Sequence, residues 1–145
     1  MNSIIIMSKI NNLKIIDLPK INDPRGNLSF FENCNQIPFG IKRTYWIYDV
    51  PAGEIIGGHA FEKFEEFIIA LSGSFDVVIN DGINKNRFLL NKPYVGLHVP
   101  CLLWKSLENF SSNALALIVS SIGNNEKDYI RDFELFKKTK ENFEK

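Results

Sequence analysis

The sequence predicts an all-β domain, a sandwich or barrel of short strands, followed by one C-terminal helix. Short runs of β-branched and aromatic residues recur along the chain, with turn-forming residues between them. Asp81-Gly82 is one of these turns, because this dipeptide readily adopts the tight turn of a hairpin. Roughly seven or more short strands are typical of a sandwich or a barrel. We predict strands at 27–31, 42–50, 67–71, 75–80, 86–90, 95–99 and 114–120.

The tail at 128–145 carries the only long helical pattern. Ile130, Phe133 and Phe136 share one face, and Lys and Glu occupy most of the other positions. We expect this helix to pack against the barrel or against a partner subunit. Neither a linker nor a repeat divides the chain, so we predict a single domain over 1–145.

Charge and cysteine usage narrow the class of protein. Lys and Arg total 17, and Asp and Glu also total 17, so no net field attracts a nucleic acid or an acidic membrane. Cys34 and Cys101 lack CxxC spacing, which predicts free thiols and a reducing, cytoplasmic location. The apolar run at 4–7 is too short for a signal-peptide core, and we interpret it as an edge strand or a frayed start.

Five residues in the middle of the chain are spaced like a known site-bearing motif. Gly53, His59, Phe61, Glu66 and Gly73 give the pattern G-x5-H-x-F-x4-E-x6-G. This resembles the first cupin motif, G-x5-H-x-H-x(3,4)-E-x6-G. The resemblance implies a double-stranded β-helix, the jelly-roll barrel of the cupins, with the short helix of 128–145 at its end.

A second segment keeps the spacing of the other cupin motif. Pro100, Leu102, Lys105 and Asn109 align with P-x-G-x-x-H-x-x-x-N. The two motifs together supply four metal ligands in metal-dependent cupins, but a phenyl ring and an ammonium replace two of them here. An ammonium repels a divalent cation, and two remaining ligands are too few to close a transition-metal site. We therefore predict no catalytic metal and no other cofactor.

Further segments together resemble one family, the metal-free cupins that act as dTDP-4-keto-6-deoxyglucose 3,4-ketoisomerases. The resemblance extends over about 13–136 and implies a dTDP-linked 4-keto-6-deoxy sugar as substrate. The matching segments are DPRGNL at 23–28, IPF at 37–39, KRTY at 42–45, GGHA at 57–60, SGS at 72–74, VGLHVP at 95–100, NFSS at 109–112 and DYIRD at 128–132.

The reaction that the resemblance implies needs a base at carbon 3 and an acid at carbon 4 of the sugar. His59 is the expected base, since an imidazole suits proton transfer near neutrality. Tyr45 or His98 is the expected acid. The family usually reads R-G-x-H-A-H-K where this chain has IGGHAFE at 56–62. We therefore hypothesise that His98, on a facing strand, supplies the imidazole that Phe61 replaces. The alternative for His59 is a packed histidine that hydrogen-bonds a backbone carbonyl.

The resemblance also implies a set of substrate-binding residues. Arg25 and Arg43 suit the pyrophosphate or the enediolate, because a guanidinium stays charged and presents a fork of donors. Arg43 and Tyr45 share a strand face if they line the site. Trp104 and Phe61 suit stacking on thymine, with core filling as the alternative. Glu66 and Lys105 complete the expected set, although Glu66 has the alternatives of orienting His59 or facing solvent.

Three functions remain open at this point. The first is the isomerase, with the galacto product favoured through Arg25 and His98, in deoxyaminosugar synthesis for surface glycans. The second is a cupin that binds a nucleotide sugar without turnover, and the third is a related sugar epimerase. Small cupins commonly pair, so we also expect a homodimer with buried edge strands and tail, and an exchange of N-terminal strands would be compatible with it.

Overall fold

The computed structural model describes residues 13–123 and 126–144, in which two antiparallel five-stranded sheets pack face to face. Strands are numbered in chain order. The first sheet contains, from edge to edge, β1 (Lys14–Asp17), β9 (Val95–Val99), β6 (Glu66–Ser72), β11 (Leu115–Ser120) and β4 (Arg43–Ile47). The second contains β12 (Tyr129–Ile130), β5 (Ile56–Phe61), β10 (Trp104–Glu108), β7 (Phe75–Asn80) and β8 (Lys85–Leu90). A separate hairpin joins β2 (Lys20–Ile21) and β3 (Leu28–Ser29), and helix α1 spans Phe133–Glu144.

The predicted all-β architecture with a C-terminal helix is confirmed, and two strands, β7 and β9, have the predicted bounds. Five strands were missed: β1, β2, β5, β10 and β12. Glycines within β5 and polar residues within β10 hide the apolar pattern of a strand. The helix begins later than predicted, because 126–128 form a 3₁₀ turn and Asp132 caps α1 by accepting a hydrogen bond from the Leu135 N–H at 3.0 Å. The strand predicted at 4–7 lies outside the described residues.

Strand β6 runs through the centre of the molecule and is buried on both faces. Ile68 and Ala70 point between the two sheets, into the main core. Phe67 and Ile69 point the other way and pack under Ile37 and Phe39 in a second cluster. Since successive side chains of a strand alternate between its faces, this double burial explains the continuous apolar sequence of β6.

A β-bulge in β5 sets the direction of His59. The pairing of β5 with β10 matches Lys105 to His59 and Ser106 to Gly57, which leaves Gly58 as an extra residue. Gly57 and Gly58 have φ angles of 102° and 80°, a conformation that glycine adopts without strain. Because of the extra residue, Ile56 and His59 both face the barrel interior although they are three positions apart.

The C-terminal helix closes one side of the second sheet. Phe136 is fully buried, and its ring lies 5.8 Å from that of Trp104. The Lys140 ammonium donates a hydrogen bond to the backbone carbonyl of Leu102 at 3.1 Å, which ties the helix to the loop before β10. Within residues 13–123 and 126–144, no helix has the length and apolar character needed to cross a membrane.

Gly96 in β9 has no room for a side chain. A Cβ atom there would overlap the buried ring of Phe67 and lie 2.8 Å from the carbonyl oxygen of Ile68. We expect Gly96→Ala to lower the free energy of unfolding by about 2–3 kcal/mol through overpacking. Urea unfolding followed by fluorescence measures this loss. Gly123→Ala is the matched control, because a Cβ there meets nothing within 4 Å. Equal stability of the two variants would contradict the prediction.

Candidate active site

A cavity of about 220 Å³ lies inside the barrel, between the two sheets. His59 from β5 and Lys105 from β10 stand directly opposite each other in the strand pairing and both line it. Tyr45 reaches the cavity from β4, in the facing sheet, and Arg131 from the segment after β12. Two motifs far apart in the chain therefore converge, as predicted, on one polar patch in an apolar barrel.

Three of the predicted site residues form one buried hydrogen-bonded chain. The Tyr45 hydroxyl donates to Glu66 Oε2 at 2.6 Å, and the Lys105 ammonium pairs with the other oxygen, Oε1, of the same carboxylate. Glu66 and Lys105 are 1% and 3% exposed, which excludes the alternative that Glu66 faces solvent. Burial lowers the pKa of Lys105 to about 7. Burial also raises the pKa of Tyr45 well above its ordinary value, which keeps the phenol protonated.

His59 is held as a neutral imidazole. Burial, followed by the positive charges of Lys105 and Arg131, lowers its pKa to about 3. Its ring packs against Phe61, with centroids 5.4 Å apart. The Nε2 atom is buried and has no hydrogen-bond partner among the described residues, so it does not bond the backbone carbonyl that a purely structural histidine would be expected to find. A neutral imidazole with a free nitrogen is able to accept a proton.

The donor set around His59 does not suit a divalent cation. Phe61 fills the place of the second motif histidine, and the Lys105 ammonium lies 5.8 Å from the centre of its ring. In the described part of the chain, no three His, Cys, Asp or Glu side chains converge in a way that would hold a metal ion. The chemistry that this set supports is proton transfer and stabilisation of negative charge.

Comparison with known proteins identifies the family. The family model described as "FdtA: WxcM-like, C-terminal" matches residues 11–141. A TDP-4-oxo-6-deoxy-alpha-D-glucose-3,4-oxoisomerase of Aneurinibacillus thermoaerophilus is 40% identical over 125 residues, which cover 86% of this chain and 90% of that protein. The chain belongs to the FdtA family.

Solved structures of family members have the same fold. A 3,4-ketoisomerase from Helicobacter canadensis matches with a TM-score of 0.87 and 38% identity, covering 90% of this chain and 98% of that one. The sugar 3,4-ketoisomerase QdtA from Thermoanaerobacterium thermosaccharolyticum, solved in complex with TDP, matches with a TM-score of 0.88 and 30% identity over 91% and 96% of the two chains. As a member of the FdtA family, this protein is an isomerase.

Arg43 and Tyr45 lie on the same face of β4, as predicted. The Arg43 guanidinium carbon lies 4.7 Å from the centre of the Tyr45 ring. Arg25 is elsewhere: it follows β2, its side chain is 91% exposed, and it forms an ion pair with Asp23 at 2.9 Å. In this FdtA-family chain, Arg25 is not among the residues that line the cavity of its own subunit, and its role in substrate binding stays a prediction.

His98 lies on the opposite side of the first sheet from His59. Its neighbours Leu97 and Val99 occupy the inward positions of β9, so alternation turns His98 outward. There its Nε2 lies 3.0 Å from Glu65 Oε1, and its ring lies 5.9 Å from that of Phe39. The hypothesis that His98 replaces the imidazole lost at Phe61 is wrong, because the two residues do not share a cavity.

The prediction for Trp104 also needs correction. Trp104 points away from the cavity and packs against Phe133 and Phe136 of α1, so it has the core-filling role and not the thymine-stacking one. Trp46 on β4 and Tyr48, which directly follows this strand, are 59% and 60% exposed.

Tyr129 and Arg131 were not predicted as site residues. Both were interpreted as the start of the C-terminal helix, but strand β12 places Tyr129 against His59, and Arg131, which follows this strand, lines the cavity. Tyr129 pairs with Phe61 of β5, and its ring centre lies 5.1 Å from that of His59. A two-residue strand is too short to give a periodic signal, and the segment DYIRD of the family resemblance was the only indication in the sequence.

Proposed function

We propose that this protein is a nucleotide-sugar 3,4-ketoisomerase that converts dTDP-4-keto-6-deoxy-D-glucose into a dTDP-3-keto-6-deoxyhexose. The observation that carries the proposal is the pairing of a neutral His59 with Lys105 across two strands of one cavity. The oxoisomerase activity named for the 40% identical relative supports the choice of substrate. The second motif histidine of other family members is not needed in this mechanism.

The chemistry follows from the two groups. His59 takes the proton from carbon 3, and the electron pair of that bond forms a double bond to carbon 4, which gives an enediolate. A proton is then added to carbon 4, the hydrogen of the carbon-3 hydroxyl moves to the oxygen on carbon 4, and a carbonyl forms at carbon 3. We assign the second proton to Lys105, because Tyr45 already donates its hydrogen to Glu66. The positive charges of Lys105 and Arg131 stabilise the enediolate as it forms.

Solvent exchange distinguishes this reaction from its two alternatives. The purified protein is incubated with dTDP-4-keto-6-deoxyglucose in D₂O and the sugar is examined by NMR. We expect deuterium at carbon 4 together with a carbonyl shifted to carbon 3. Tight binding without exchange would instead support a non-catalytic binding protein, and deuterium at carbon 5 would support an epimerase. Either result would contradict the proposed function.

The mechanism predicts that activity falls as the pH rises through about 7, where Lys105 loses its proton. His59 stays neutral throughout this range, because its pKa is lowered to about 3, so it does not contribute a pH dependence of its own here. The kcat/KM value, which reports the free enzyme, should therefore be level below about pH 7 and fall above it. In Lys105→Arg activity should be largely lost at every pH, because a guanidinium keeps its protons and cannot donate one to carbon 4. A wild-type profile that is level from pH 7 to 9 would contradict the assignment of Lys105.

We also propose the galacto configuration at carbon 4 of the product, and a role in making deoxyaminosugars for surface glycans in the cytoplasm. The support for the configuration is the resemblance of the Arg25 segment to relatives of that group. His98, the second ground for it, faces away from the cavity. The coupling between H-4 and H-5 of the product measures the configuration, and a large coupling would indicate the gluco epimer. Conversion by a 3-aminotransferase would support the pathway.

We propose that the protein is a homodimer. Apolar side chains are exposed on the β2–β3 hairpin, at Ile21 and Leu28, on the edge strand β4, at Trp46, and directly after it, at Tyr48. An unpaired edge with exposed aromatics favours association with a second copy. Arg25 would bind substrate only if the hairpin reached the cavity of the partner. Sedimentation that gives a monomer at micromolar concentration would contradict the dimer.

A further inference from the structure

Tyr129 connects His59 to Arg43, although neither the motifs nor the proposed mechanism assigns it a role. Strand β12 pairs with β5 and brings Tyr129 opposite Phe61. The Tyr129 ring then lies 5.1 Å from the His59 ring and 4.7 Å from the Phe61 ring, measured between centroids. The imidazole therefore packs against two aromatic rings that also contact each other, and Tyr129 is the one that carries a polar group.

The hydroxyl of Tyr129 accepts a hydrogen bond from the Arg43 guanidinium. Arg43 Nη1 donates a hydrogen bond to this oxygen at 2.7 Å, and Arg43 in turn lies over the ring of Tyr45. Because a guanidinium has only donors, the phenol must be the acceptor, which leaves its own hydrogen available for another acceptor. Arg131 lies over the ring of Tyr129, with its guanidinium carbon 4.6 Å from the ring centre.

From these contacts we propose that Tyr129 is a positioning residue for proton abstraction: its ring orients the His59 imidazole and its hydroxyl orients Arg43. The proposal rests on the proposed function for its catalytic part. A tyrosine that only filled space would need neither the hydrogen bond to Arg43 nor a contact with the imidazole. The arrangement also explains how His59 keeps a fixed orientation without a hydrogen bond to its Nε2 atom.

The kinetic test separates the hydroxyl from the ring. Tyr129→Phe keeps the ring and removes the acceptor of a charged hydrogen bond, so we expect kcat to fall about tenfold, while TDP affinity stays within about twofold. If Tyr129 acts through Arg43, the double variant Tyr129→Phe/Arg43→Lys should lose no more kcat than the more harmful of the two single variants. Tyr48→Phe is the matched control and should retain wild-type kcat, because Tyr48 is 60% exposed just after β4.

The second test does not depend on turnover. The chain contains only two histidines, so histidine-selective labelling gives one set of NMR signals from His59 and one from His98. We expect Tyr129→Leu to shift the His59 signals and to raise the pKa of His59, because water reaches the imidazole when the ring is removed. The His98 signals, from the opposite side of the sheet, should not move and serve as the internal control.

The outcomes separate this proposal from the proposed function. An inactive wild type would overturn the proposed function and, with it, the catalytic part assigned to Tyr129. An active wild type with unchanged kcat in Tyr129→Phe would overturn the role of the hydroxyl alone. Multiplying effects of Tyr129→Phe and Arg43→Lys would show that the two side chains act separately. Unchanged His59 signals in Tyr129→Leu would overturn the positioning of the imidazole.

Discussion

His59→Asn should reduce isomerisation by about 10²–10⁴-fold, the range that a positioned general base contributes. The amide of asparagine is close in size to part of the imidazole, but it does not accept a proton at neutral pH. The polar chain of Lys105, Glu66 and Tyr45 does not include His59, so we expect TDP to bind with nearly unchanged affinity. Deuterium incorporation at carbon 4 measures the rate, and calorimetric titration with TDP measures the binding.

His98→Asn is the matched control for that experiment. It removes the only other imidazole of the chain, on the outer side of the first sheet, where His98 pairs with Glu65. We expect the rate of this variant to stay within about twofold of the wild type. A substitution that lies far from a site and shares no partners with it usually has little effect on the activity of that site. A comparable loss in both variants would indicate that His98 takes part in the reaction after all.

Lys105→Met should be the most destabilising change at the site as well as an inactivating one. It leaves the Glu66 carboxylate buried without its ion-pair partner, and breaking a buried pair from one side costs about 3–5 kcal/mol of the free energy of unfolding. Without an ammonium the second proton has no donor, so isomerisation should be lost as well. Lys85→Met, at an exposed position of β8, should stay within about 0.5 kcal/mol of the wild type.

A second change at Glu66 tests the reason for this loss. Adding Glu66→Gln to Lys105→Met removes the stranded charge and still leaves an acceptor for the Tyr45 hydroxyl. The double variant should therefore recover part of the lost stability, measured by chemical unfolding, while it stays inactive. A double variant no more stable than Lys105→Met would mean that the carboxylate is not the source of the cost.

The residues predicted correctly from the sequence are those placed by strand alternation or by motif spacing. Arg43 and Tyr45 are two positions apart and share a face, as the period of a strand requires. His59, Glu66 and Lys105 meet because both cupin motifs kept their spacing after their ligands had changed. Motif spacing reflects the course of the backbone, and the barrel keeps that course although two of the ligand side chains have changed.

The sequence pattern of β9 did place His98, but the resemblance to a cupin site favoured the opposite direction. The apolar residues Val95, Leu97 and Val99 alternate with Gly96 and His98, which indicates that His98 turns away from the core. Tyr129 was missed for a different reason: a strand of two residues gains its structure from pairing with β5, which is a tertiary contact and leaves no local signal. The sequence around Arg25 predicts only a local turn, and a turn does not indicate whether the side chain faces a cavity or solvent.

The glycine bulge makes the active site depend on the number of residues in β5. Gly58 is the extra residue, and it reverses the alternation of side chains along the strand. Before Gly58 the even-numbered Ile56 faces the cavity, and after it the odd-numbered His59 does. A chain shortened by one residue at this point would keep every chemical group of the site, but it would direct His59 towards the helix and Ala60 into the cavity. Deletions in this strand are therefore more harmful than most substitutions. Enzymes with this bulge are expected to vary more freely in composition than in length between Ile56 and His59.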